Sequence, residues 1–106
     1  MRYRVIFVII TIFIAQGISM QNSVENGYKL YNDRKFEEAF EALYDAAAYE
    51  NNAEAQYYIG LMYFHGDGVE KNIESAQKFW KKALQRGHID AANQLSHIAT
   101  STKYMF

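Results

Sequence analysis

Residues 53–87 read AEAQYYIGLMYFHGDGVEKNIESAQKFWKKALQRG, and the small-then-large pair Ala55 and Ile59 returns thirty-six residues later as Ala91 and Leu95. A period of that length is the signature of a helical solenoid, in which each helix pair buries its apolar face only by stacking on a neighbour. Within the stretch, Ala55, Ile59, Met62 and Tyr63 fall on one face of a helix that starts near Ala53. Gly66-Asp67-Gly68 stops it, because glycine accepts positive φ. Asn72 is an N-cap for the next helix, whose face is read as Ile73, Ala76, Trp80, Ala83 and Leu84, and Gly87 closes it as a C′ residue. A further helix, about 89–102, repeats the start of the one at Ala53.

The same reading extends upstream. A first helix covers about 23–32, followed by the polar turn Asp33-Arg34-Lys35. A second carries Phe36, Phe40, Leu43, Tyr44 and Ala47 at helical spacing and ends at Asn51-Asn52. The expected fold is therefore all-α, a short α-solenoid of about two and a half helix-turn-helix repeats, five helices in all, with units at about 22–52, 53–88 and 89–103. Small residues at Gly60, Ala76 and Ala83 let helix axes approach, Trp80 and Tyr63 fill the space beside them, and Val69 folds back as an apolar plug. Tyr104-Met105-Phe106 is expected to cover the exposed end, as terminal repeats need a cap.

Before this domain, Arg2 and Arg4 precede the uncharged apolar run Val5 to Ala15, and small residues follow at Gly17 and Ser19. That order predicts a secretory signal peptide over 1–19, cleaved near 17–19, since the run is too short to cross a membrane of about 30 Å. The expected product is periplasmic or secreted, with no stable membrane insertion after cleavage and one domain over 20–106. The chain has no cysteine, so neither disulfides nor thiolate zinc can support the fold. Packing must supply the stability, and nine Tyr, seven Phe and one Trp suit that demand. Charge is divided along the chain: residues 20–70 hold ten acids and three bases, whereas residues 71–106 hold six bases and two acids. The part after the leader is acidic in sum, which argues against a nucleic-acid partner.

The stretch 53–87 closely resembles the Sel-1-like repeat, a relative of the tetratricopeptide repeat with a longer turn between its two helices. The matching residues are Ala55, Ile59-Gly60, Met62-Tyr63, Gly66-x-Gly68-Val69, Ala76, Trp80, Lys82-Ala83 and Gly87. Upstream, Gly27, Leu30, Ala39, Leu43 and Ala46 sit at tetratricopeptide-like spacing with a shorter turn, and 91–99 resembles a first helix. Glu70, Asn72 and Ser96 depart from the pattern, standing where the family often has proline, aspartate and the repeat glycine. The resemblance implies an all-α superhelix that serves as an adaptor or scaffold for proteins.

No catalytic constellation is visible. His65, His88 and His97 are separated and have no cysteine partners, and read as polar surface or helix-end residues. Glu37, Glu38 and Glu41 sit in the first turns of a helix, where negative charge complements the dipole. Asp67 lacks the further carboxylates of a calcium loop. The expectation is a non-enzyme with no metal and no cofactor.

The surplus is aromatic. If the first helix of each unit lines the concave face, as the resemblance implies, then Tyr28, Tyr31, Tyr57, Leu61 and Phe64 project there, with His65 and His97 at its edge. Tyr58 joins them because the family usually places a polar residue at that position. Tyr28, Tyr57 and Phe64 are read as outward residues whose removal leaves the scaffold standing. The expected function is an exported interaction module that binds a protein or peptide in its groove, as a periplasmic antidote of the immunity type or an accessory subunit. A membrane-anchored envelope scaffold and a regulator of an envelope hydrolase are the alternatives.

Overall fold

A computed structural model describes the backbone of residues 23–105 and side chains as far as Ser101. The signal peptide expected at 1–19 and the cap expected from Tyr104-Met105-Phe106 lie outside the described residues or side chains. Five helices run through the described part: α1 over 23–32, α2 Phe36–Ala48, α3 Ala53–His65, α4 Ile73–Gln85 and α5 Ile89–Met105. There is no strand among the described residues. Each helix packs on the next, α2 on α3, α3 on α4 and α4 on α5, as stacked hairpins must.

Helix α3 lies between α2 and α4, so it is buried on both sides. Ala55, Ile59 and Met62 face one way into the core, and Gln56 and Gly60 are buried as well. One cluster joins Ala39, Leu43, Ala46 and Ala47 of α2 to Ile59 and Met62, and a second joins Ala76, Trp80 and Ala83 of α4 to Ala91 of α5. Gln56 donates from Nε2 to the carbonyl of Ala47 at 3.1 Å, satisfying an end group of α2 that has no partner inside its own helix.

Within each hairpin a glycine on the first helix receives a bulky side chain from the second. A Cβ on Gly27 would lie 2.6 Å from Leu43, and one on Gly60 would lie 2.2 Å from the Trp80 indole nitrogen. Leu43 follows Gly27 by sixteen residues and Trp80 follows Gly60 by twenty; the difference is the longer turn of the second hairpin. In that turn Gly66 and Gly68 both take φ of +72°, and Val69 folds back, half-buried, on the core. Gly68 also lies against the start of α2, where an added Cβ would come within 2.4 Å of the Phe36 carbonyl carbon.

The helix ends follow one pattern. Asn52 and Asn72 cap α3 and α4 by accepting from Ala55 N and Ser75 N, each at 3.0 Å. At the end of α4, Gly87 takes φ of +84° while the Gly87 and His88 amides donate to the carbonyls of Leu84 and Ala83. The end of α1 has the same two bonds, from Arg34 to Tyr31 and from Lys35 to Leu30, but there Arg34 occupies the left-handed position at φ of +63°.

Three expectations are corrected. Helix α2 ends at Ala48, ahead of the Asn51-Asn52 stop, and α5 continues to Met105. The buried face of α4 is Ala76, Phe79, Trp80 and Ala83, whereas Ile73 and Leu84 are each 44% exposed. The reason is Phe79: its ring stacks on Tyr63 at 5.9 Å and meets Tyr44 at 6.2 Å, which rotates the face towards α2 and α3.

Candidate functional site

The aromatic residues singled out in the first helices form a connected run. The Tyr58 ring of α3 lies between two rings of α1, with centroids 5.0 Å from Tyr28 and 4.9 Å from Tyr31. Tyr58 meets Tyr57 at 5.7 Å, and Tyr57 stacks on His88 at 4.7 Å with 23° between the planes. Five rings thus pass from α1 across α3 to the turn before α5.

All four tyrosines are half-buried. Tyr28, Tyr31 and Tyr58 pack against the first core cluster, and Tyr57, Leu61 and Phe64 pack against the second. Phe64 reaches the Trp80 ring at 5.5 Å. The expectation that Tyr28, Tyr57 and Phe64 stand clear of the framework is therefore corrected: each is half-buried and packed against a core cluster. A solenoid this thin has no second layer to bury, so the rings that join neighbouring units also make its surface.

Burial is the largest influence on these hydroxyls. It pushes Tyr28 up to about 12, with the Glu54 carboxylate and Tyr58 acting the same way. Burial also raises Tyr31, Tyr57 and Tyr58 above the ordinary tyrosine value, against a hydrogen bond with Gln94 that lowers Tyr57. At neutral pH the run presents neutral O–H groups, which both donate and accept.

His65 is exposed at the end of α3, edge-on to Phe64 at 5.1 Å. His97 is exposed on α5 and lines a cleft with Phe64, Ile73, Gln77, Gln94 and Ile98. Neither belongs to the five-ring run; both lie near Phe64.

His88 is the residue that sequence reasoning placed too simply. It is a helix-end residue, but its side chain is only 12% exposed. Its Nδ1 accepts the Ala91 amide at 3.2 Å, capping α5, and its Nε2 lies 2.7 Å from Glu54 Oε2. An Nδ1 that accepts a backbone N–H leaves the proton on Nε2, which then donates to the carboxylate. A neutral imidazole thereby ties the start of α3 to the start of α5. Glu54 and Tyr57, which both meet His88, lie three residues apart on α3, the spacing that puts two side chains on one helix face.

Among the described residues no group of three His, Cys, Asp or Glu side chains converges to hold a metal, and no helix is long and apolar enough to cross a membrane. The arrangement offers broad apolar rings with polar tips, chemistry suited to recognising another surface.

Residues 53–88 match the family model described as Sel1 repeat, the span from the start of α3 to the turn before α5. No curated protein matches the chain. Sel1 repeats generally mediate protein–protein interaction and are typically non-catalytic. Residues 53–88 of the chain are thus a Sel1 repeat.

Proposed function

We propose that this protein is a non-enzymatic binding module that holds a partner protein or peptide against the face formed by α1, α3 and the start of α5. The observation that carries the reading is the ring run Tyr31–Tyr58–Tyr57–His88, which links the first two units without a break and ends at the turn into α5. Tyrosine is enriched where partners bind, because it combines a large apolar body with a hydrogen-bonding tip at small entropic cost. The binding residues are Tyr28, Tyr31, Tyr57, Tyr58, Leu61 and Phe64, flanked by His65 and His97. The N-terminal order of Arg2, Arg4, an apolar run and small residues supports export with cleavage near 17–19. In its narrower form the proposal is a periplasmic antidote or accessory subunit that covers one partner.

Capture of the tagged full chain from its own cells, followed by mass spectrometry, tests this. A protein recovered in constant ratio is then titrated against wild type and against the double variant His65→Glu, His97→Glu. Both histidines are exposed, so the fold survives the changes. Binding should weaken roughly tenfold or more. Equal affinity for the two proteins would contradict the proposed face.

A further inference from the structure

The two junctions between units are built from corresponding positions but filled differently. In the second hairpin the counterparts of Tyr31 and Phe36 are Phe64 and Ile73, fixed by the offset from Gly27 to Gly60 for the first helix and from Leu43 to Trp80 for the second. The same offsets relate Phe40 to Gln77. The period from Ala55 to Ala91 relates Tyr58 to Gln94.

At the first junction these positions form a filled slot. Tyr58 enters beside Tyr31 at 4.9 Å, Phe36 closes edge-on against Tyr31 at 5.4 Å, and Phe40 packs on Tyr63 at 5.5 Å. At the second junction two of the rings have become glutamines and a third has become isoleucine. What remains is a cleft of about 330 Å³ bordered by Phe64, Ile73, Gln77, Gln94, His97 and Ile98. That volume lies at the lower end of the range of about 300 to 1,000 Å³ occupied by ligand sites.

We propose that this cleft is a docking site for a tyrosine side chain of a protein partner, which takes the place that Tyr58 fills at the first junction. This rests on the reading of the protein as a binding module. The apolar walls of Phe64, Ile73 and Ile98 accept the ring, and Gln77, Gln94 and His97 at the margin supply groups for the phenol oxygen. Few convergent polar groups in an apolar cleft are what fixes a ligand's orientation. The cleft also adjoins the ring run, because its Phe64 and Ile98 pack on the same core cluster as Tyr57. A partner lying along the run would reach it without crossing a gap.

The probe is p-cresol, the tyrosine side chain as a free molecule, followed by saturation-transfer NMR with the full chain. Wild type should transfer saturation to the cresol ring, and toluene, which lacks the hydroxyl, should bind more weakly. Gln94→Tyr restores the missing ring, so it should weaken p-cresol binding roughly tenfold and raise the thermal midpoint. Gln77→Phe, the counterpart of Phe40, should also weaken binding and serves if the first variant folds poorly. Absence of transfer in wild type would overturn the proposal, as would unchanged binding in both variants. If p-cresol binds as expected but capture from cells recovers no protein, the cleft stands as a phenol site and the binding-module reading is what fails.

Discussion

The Trp80 indole rests on Gly60, where even a methyl group would lie 2.2 Å from its nitrogen, and that nitrogen donates to the Tyr57 carbonyl at 3.1 Å. One hairpin is locked by this fit, and the same α3 segment carries Tyr57 and Tyr58 to the surface. In isolation Gly→Ala in a helix is favourable by about 1 kcal/mol. Here Gly60→Ala should destabilise by about 1–3 kcal/mol, because the obstructing group is a rigid buried ring. Trp80→Ala should cost about 3–5 kcal/mol. Denaturant unfolding followed by circular dichroism measures both, and a stabilised Gly60→Ala would show that the contact is loose.

The left-handed glycines should separate by surroundings. Gly68 and Gly87 both have positive φ, but a Cβ at Gly68 would meet the Phe36 backbone at 2.4 Å while one at Gly87 meets nothing within 4 Å. Gly87→Ala should cost about 1–2 kcal/mol, the left-handed penalty alone. Gly68→Ala should cost clearly more, as backbone has to move. Equal losses in thermal midpoint would mean that the turn is not held against α2.

Arg34 occupies the left-handed position at the end of α1 that Gly87 occupies at the end of α4. Arg34→Gly should therefore stabilise by up to about 1 kcal/mol, reduced by glycine's extra freedom in the unfolded chain. The guanidinium lies 6.0 Å from the Phe36 ring at an exposed site, too weak a contact to reverse the sign. A lower unfolding midpoint for this variant is the contrary result.

His88 ties α3 to α5, pairing with Glu54 at the start of one and capping the other through Ala91. His88→Ala should cost about 1–2 kcal/mol, chiefly the lost cap. A double-mutant cycle with Glu54→Gln should give a coupling below about 1 kcal/mol, since the carboxylate side is half exposed. A cost near zero for His88→Ala would detach it from the architecture.

The tyrosine run sets the alkaline limit. Tyr28 ionises near 10 when unfolded and at about 12 in the fold, so the folded state holds its proton more tightly. This contribution is complete below pH 10 and is lost as pH rises through 12. A pH titration of phenolate absorbance should show a late-ionising fraction that disappears in denaturant, and Tyr28→Phe should reduce it. A native titration identical to the denatured one would contradict the burial of these rings.

The repeat was legible in the sequence because its markers are local: the glycine turn, the small-then-large pair, the asparagine caps and the period linking Ala55 to Ala91. What escaped was decided by distant partners. Phe79 lies off the stripe read for α4, and only the rings of Tyr44 and Tyr63, on other helices, explain its burial. The role of His88 depends on residues more than thirty positions earlier. The candidate binding residues could be picked out by type, but not the fact that they stack on one another, because stacking depends on how far successive units rotate.

Placing a photoreactive amino acid at single exposed positions in living cells tests the central claim, that the first-helix face is the partner's seat, most directly. Glu54 on α3 and Asn93 and His97 on α5 lie on first helices, whereas Glu38 on α2 and Lys81 on α4 lie on second helices; all five are exposed. Covalent adducts to one protein are expected from positions 54, 93 and 97, and none from 38 and 81. Adducts confined to 38 and 81 would contradict it and assign binding to the charged faces of the second helices.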